Sequence, residues 1–226
     1  MSAVVKSARV VALPVRAAEG RPRALDAVEI VAGVVAGDER ALAAAWDRHA
    51  VAIRAVLRRS LGPGADVEDA LQETFIAFFQ SASAIRDPRS LRSFLIGIAI
   101  RVASRELSRR RLKRWLFLTS DGEMPEPAAL DDDAAAASRE AVRRLYRILD
   151  GLDVESRLAF VLRHVEGLEL VDVATGLGVS LATAKRKLAK VVPVVMARVR
   201  KDPILAGYVG EDVPKAGVLI AEEVTG

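Results

Sequence analysis

The chain has 226 residues, a formal net charge of +4, 4% aromatic residues, two histidines and no cysteine. Without thiols there is no disulfide framework and no thiolate metal site, and two histidines far apart in sequence fall short of the clustered ligands of a zinc centre. A pI near 9.7 makes nucleic acid the leading partner class, and no apolar run approaches a membrane span.

Arg9, Pro14 and Arg16 interrupt any secretory core at the N-terminus, so the sequence predicts a soluble, cytoplasmic protein. Ala, Val, Leu and Arg dominate, a composition that predicts an all-α fold. Residues 1–24, small and basic with Pro14 and Pro22, read as a disordered arm. A weak helix is predicted at 25–35. Asp38 then caps a helix over 39–60, where Leu42, Trp46, Ile53 and Leu57 recur at helical spacing and Trp46 reads as core. Leu61-Gly62-Pro63-Gly64 is a turn.

The stretch 66–80, DVEDALQETFIAFFQ, predicts a helix capped by Asp66, with Glu68 and Asp69 suited to its positive N-terminus. Val67, Leu71, Phe75 and Phe78 make its core face. The opposite face carries Asp69, Gln72, Glu73, Ile76 and Gln80. An isoleucine among acids and amides points to a protein-contact surface, although single exposed apolar residues are common.

After a polar loop at 81–90, the stretch 91–115 changes character along its length. Leu91, Phe94, Leu95, Ile98 and Val102 share a buried stripe. Arg105, Arg109, Arg110, Arg111, Lys113 and Arg114 follow, with no acid after Glu106. One end is built for a core and the other for an anion. A solvated helix end favoured by the macrodipole is the plainer alternative.

Residues 118–137 hold a run of acids with Pro125 and Pro127, then alanines. This composition predicts a flexible acidic linker between two small, separately folded and loosely tethered helical domains, 25–117 and 138–201. In the second, Ser138 and Asp153 are candidate caps of helices at 138–149 and 153–165. Helices at 168–177 and 181–192 are joined through Gly178-Val179-Ser180. The spacing of Ala174, Gly178 and Ala184 fits a helix-turn-helix, with Ser180 capping its second helix. That helix presents Thr183, Lys185, Arg186 and Lys190 outward, and no acid occurs from Leu181 to Lys201. An ordinary hairpin with a basic face is the alternative. Pro193 is expected to end or kink it. Residues 202–226 read as an irregular tail. No phosphate-binding glycine loop, metal cluster or nucleophile–base pair is evident, so no cofactor is expected.

Taken together, VEDALQETFIAFF, SLRSFLIGIAIRVASRELSRRR and LDGLDVESRLAFVLRHVEGLELVDVATGLGVSLATAKRKL resemble, in this order, the extracytoplasmic-function sigma factors of the bacterial sigma-70 family. The resemblance covers about residues 36–200. It implies a first domain that docks on core RNA polymerase through Asp69, Gln72, Glu73 and Ile76. It implies that the following helix melts and reads the minus ten promoter element, with Arg101, Arg105, Arg109 and Arg110 toward DNA. It implies that the last helix reads the minus thirty-five element through Ser180, Thr183, Lys185, Arg186 and Lys190. The partners implied are core polymerase and promoter DNA, with an anti-sigma factor as a further candidate. The sequence departs from the family at Phe94, Arg101 and Arg105, where tryptophan, asparagine and aspartate are usual. A stand-alone helix-turn-helix regulator would explain the last helices and the charge, but not the 67–79 stretch.

Overall fold

The computed structural model describes residues 24–118 and 133–208, and within them the protein is built from helices. The expectations for the N-terminal arm, for the acidic stretch 119–132 and for residues 209–226 lie outside the described residues.

Several helix starts are set by a short polar side chain. In α1 (Ala27–Ala36), Asp26 accepts from the Val28 and Glu29 amides, while Glu29 reaches back to the Asp26 amide at 2.8 Å, a reciprocal capping box. Asp38 caps α2 (Glu39–Leu61) and Asp66 caps α3 (Val67–Ser81), as predicted. The loop to the next helix holds two short 3-10 turns, Ala82–Ala84 and Pro88–Ser90. Then α4 runs unbroken over Leu91–Leu118. Together α1–α4 form one unit, whose centre includes Leu57, Leu71, Phe75, Phe78 and Leu95, all essentially inaccessible. Trp46 joins it, its ring centroid 4.7 Å from that of Phe75.

The second unit follows as α5 (Asp133–Asp150), α6 (Val154–Phe160), α7 (Leu170–Leu177) and α8 (Leu181–Lys201). Asp153 caps α6, which widens into a π-turn over Val161–Val165. Ser138 is not a cap: α5 begins earlier, in the alanine run, whose helix propensity extends it. Gly178 turns left-handed (φ 67°) after α7, and Ser180 caps α8 by accepting from the Thr183 amide at 3.1 Å. Pro193 does not end α8, which continues to Lys201. Pro193 lies on the exposed side, where solvent can serve the carbonyl that its missing N–H leaves unbonded. The start of the tail is not irregular. Asp202 accepts from the Ile204 and Leu205 amides, and Leu205 is buried.

Where the acidic stretch predicts loose tethering, the structure packs the two units together. The reason is a second apolar stripe on α4. Ile96, Ile100, Ala103 and Leu107 are buried about a quarter-turn or more around the axis from Leu91, Leu95, Ile98 and Val102. The first stripe serves α2 and α3, and α7 and α6 pack against α4 from the other unit. Ile100 fits the notch left by Gly176, where a Cβ would lie 2.1 Å from the Ile100 Cδ1.

Polar groups complete this contact. The C-terminal end of α2 leaves carbonyls without helical partners. Arg157 of α6, 4% exposed, donates to Ser60 O at 3.2 Å and Leu61 O at 2.8 Å, and pairs with Asp150. The Tyr146 hydroxyl donates to Arg59 O at 2.6 Å. Its ring lies against Gly62, where a Cβ would sit 2.5 Å from Tyr146 Cδ1. Arg59 pairs with Glu166 in a part-buried bridge.

Candidate functional site

The predicted residues fall on three surfaces. On α3, burial of Leu71, Phe75 and Phe78 inward leaves Asp69, Gln72, Glu73 and Ile76 outward, and Ile76 is 55% exposed. An amphipathic helix leaves no other arrangement for this pattern. Val67 is only partly buried, at the helix start.

The second surface is the basic end of α4. Arg101 is exposed and forms no ion pair among the described residues. The rest of the cluster is less free than the sequence suggests. Arg105 pairs with Glu73 of α3 at 2.8 Å. Glu106 takes both Arg109 and Arg110, the latter at 2.7 Å. Burial alone would raise the Glu106 carboxyl, but the hydrogen bonds from Arg110 and Arg109 outweigh it and hold it below its usual range. Arg111 donates to Leu152 O and Arg114 bonds Asp150 at 3.1 Å, both in the second unit. The Glu73–Arg105 pair is exposed on both sides, a kind that contributes about 0–1 kcal/mol, so a phosphate can replace its carboxylate at little cost. The Glu73–Arg105 pair thus joins the first two surfaces.

The third surface is α8. Its inner side is Ala184, Leu188, Val191 and Val195, all buried. Lys185, Arg186 and Lys190 are exposed and have no ion pair among the described residues. Lys187 on the flank is taken by Glu155 at 2.7 Å. Thr183 is partly buried, its hydroxyl 2.9 Å from that of the capping Ser180.

Both histidines are packing residues. His49 is buried, and burial first, then Arg48 and Arg92, lower its pKa and favour the neutral ring. His164 stacks on Phe160 with centroids 5.1 Å apart, and burial and Arg163 lower its pKa too. Among the described residues, no group of three His, Asp or Glu could hold a metal, and no helix is long and apolar enough to cross a membrane.

The residues that join the units escaped the sequence reading. Arg157 and Tyr146 carry no local signal, since only tertiary contact reveals their partners. The Ile96, Ile100, Leu107 stripe was visible at helical spacing, but a single core face already accounted for the helix.

This geometry meets known proteins at both units. The Sigma-70 region 2 family model matches residues 45–113, and the Sigma-70, region 4 model matches residues 142–192. The ferric citrate uptake sigma factor FecI of Escherichia coli (strain K12) is 35% identical over 142 residues, 62% of this chain and 80% of the relative. The chain belongs to the sigma-70 family. Other relatives of this sigma factor include CnrH of Cupriavidus metallidurans, 31% identical over 174 residues, covering 73% of this chain and 90% of the relative. ECF sigma factor SigL of Mycobacterium tuberculosis is 27% identical, covering 70% and 88%. The extracytoplasmic-function type is therefore shown. The solved structure of CnrH in complex with the cytosolic domain of CnrY has the same fold, with a TM-score of 0.55 at 24% identity over 78% of this chain and 98% of that one. The region 2 match takes in most of α2, all of α3 and most of α4, including the acidic face and most of the basic end. Region 4 comprises most of α5 through the first half of α8.

Proposed function

We propose that this sigma factor joins core RNA polymerase through the outward face of α3 and reads a promoter at two places. Asp69, Gln72 and Glu73 supply charge and hydrogen bonds, and Ile76 supplies apolar contact. The observation that carries this reading is that one helix, lying in the region 2 match, exposes an isoleucine among two acids and an amide, opposite a fully buried core face.

Arg101, with Arg105, Arg109 and Arg110 released from their carboxylates, holds the phosphates of the opening duplex near the minus ten element. The 81–90 loop lies beside the pocket for a flipped non-template base, and unstacked bases gain contacts that a duplex denies them. The pair α7 and α8 acts as a helix-turn-helix at the minus thirty-five element, with Ser180 at the groove entrance and Lys185, Arg186 and Lys190 toward DNA. The protein works by binding energy in the cytoplasm and performs no bond chemistry. Residues 25–117 and 138–201 are its two working domains. An anti-sigma protein is a further candidate partner.

Reading both elements requires the units to part. Their centres lie about 25 base pairs apart, about 85 Å of B-DNA at 3.4 Å per step. In the packed arrangement, α7 lies on α4 and α8 on α7, with helix axes about 8–10 Å apart at each contact. Even with α4 about 42 Å long, that stack falls well short of the promoter span.

Immobilised full-length protein, without DNA, should capture purified core polymerase from solution. A stand-alone DNA-binding regulator would not.

A further inference from the structure

The outward side of α8 has an order of its own. At about 100° per residue, the direction opposite the buried Ala184, Leu188, Val191 and Val195 alternates small residues with cations. Ala182, Arg186 and Pro193 lie within about 30° of it, joined in the last turn by Arg200, while Ala189 and Lys190 stand about 50° to either side, and all six are exposed. Lys185 and Lys190 stand on the two flanks, about 140° apart around the axis. A helix that only bound phosphates would gain from long cations along its crest. Here the strip between Lys185 and Lys190, from Ala182 to Pro193, is short and apolar apart from Arg186.

We infer that Ala182 and Ala189 are specificity residues that read thymine methyl groups in the major groove. The small crest lets the helix axis come close to the base edges. Alanine offers an apolar surface to the C5-methyl, the feature that marks thymine there. Lys185 and Lys190 then reach the phosphates of the two strands on either side, and Arg186 is free to take a guanine edge with its planar fork. The target is a duplex with thymines on either side of a guanine contact. This rests on α8 being the DNA-reading helix, and it names the base class that the helix prefers.

The test uses holoenzyme assembled from core polymerase and the full chain. Duplexes bound by holoenzyme are selected from a pool randomised across the upstream element. The selected duplex is then made again with uracil in place of each thymine in turn, which removes one methyl and no hydrogen-bonding group. The inference predicts at least one thymine whose replacement lowers affinity about threefold to fourfold, the worth of one buried methyl. That loss should vanish in Ala182→Gly or Ala189→Gly, checked as folded by circular dichroism. If no thymine in the selected duplex is sensitive to its methyl, or if the sensitivity survives in both glycine variants, the inference is overturned. If Lys185→Ala with Arg186→Ala selects the same duplex as the wild type with equal affinity, α8 is not the reader, and the broader reading fails with it.

Discussion

Arg157 and Leu61 lie in different units, yet the guanidinium of one donates to the carbonyl of the other at 2.8 Å. Burial pushes the Arg157 pKa below its ordinary value, while Asp150 and Tyr146 favour the charged form. The Tyr146 ring lies 5.5 Å from the guanidinium carbon. The cation is thus held by helix-end carbonyls, one carboxylate and an aromatic face. Removing it leaves acceptors without their donor. Arg157→Ala should lower unfolding free energy by about 1–3 kcal/mol, measured by urea titration. Arg157→Lys should recover little of this, because a point charge cannot span two carbonyls and a carboxylate.

The same contact gives an alkaline signature. Burial raises the Tyr146 pKa to about 12 from an ordinary value of 10. The folded state therefore keeps a proton that the unfolded state releases between those values. The stability from this group is present below pH 10 and is lost as pH rises toward 12. The urea midpoint should fall more steeply between pH 10 and 11.5 in the wild type than in Tyr146→Phe. Equal slopes would mean that Tyr146 is not buried against Arg59.

Gly176 provides a packing test. Valine there must displace Ile100, so Gly176→Val should weaken the contact between the units at an overpacking cost of about 1–3 kcal/mol. Small-angle scattering should show a larger radius of gyration with helix content retained. An unchanged radius would mean that the two units adapt around the new side chain.

What the sequence revealed and what it hid divide along physical lines. The caps Asp38, Asp66, Asp153 and Ser180 were legible because a cap is a local event, an oxygen meeting an amide two or three residues on. The outward set Asp69, Gln72, Glu73 and Ile76 was legible because one strong apolar face fixes its opposite. The association of the units was not, because a helix can bury two stripes, and Ile100 meets Gly176 only after the chain has folded back. The pairing of Arg105 with Glu73 was hidden for the same reason: the partners sit on different helices.

That pair is exposed on both sides, so it should matter to binding more than to folding. Arg105→Ala should change unfolding free energy by less than about 0.5 kcal/mol in urea titration. A larger loss would make Arg105 a structural residue.

The carboxylates foretell the acid limb. Glu106 and Asp153 are each held below their usual range, hydrogen bonds outweighing burial. Their contribution is present above the unfolded pKa and is lost as pH falls through the folded one. Stability should therefore decline on acidification below about pH 4.5, and replacing Glu106 by glutamine should flatten that decline.

The central claim is that α3 serves the polymerase and α8 serves the promoter, and run-off transcription with purified core enzyme tests it most directly. Asp69→Ala with Glu73→Ala should lose transcription and core affinity while retaining the wild-type melting curve. Lys185→Ala with Arg186→Ala should keep core affinity and lose promoter-specific product. With Lys185 on a phosphate and Arg186 on a base edge, the salt slope of DNA binding should fall by about 0.9, and a fall of about 1.8 would put Arg186 on a phosphate too. Normal transcription from the Asp69/Glu73 variant, with unchanged polymerase affinity, would contradict the account.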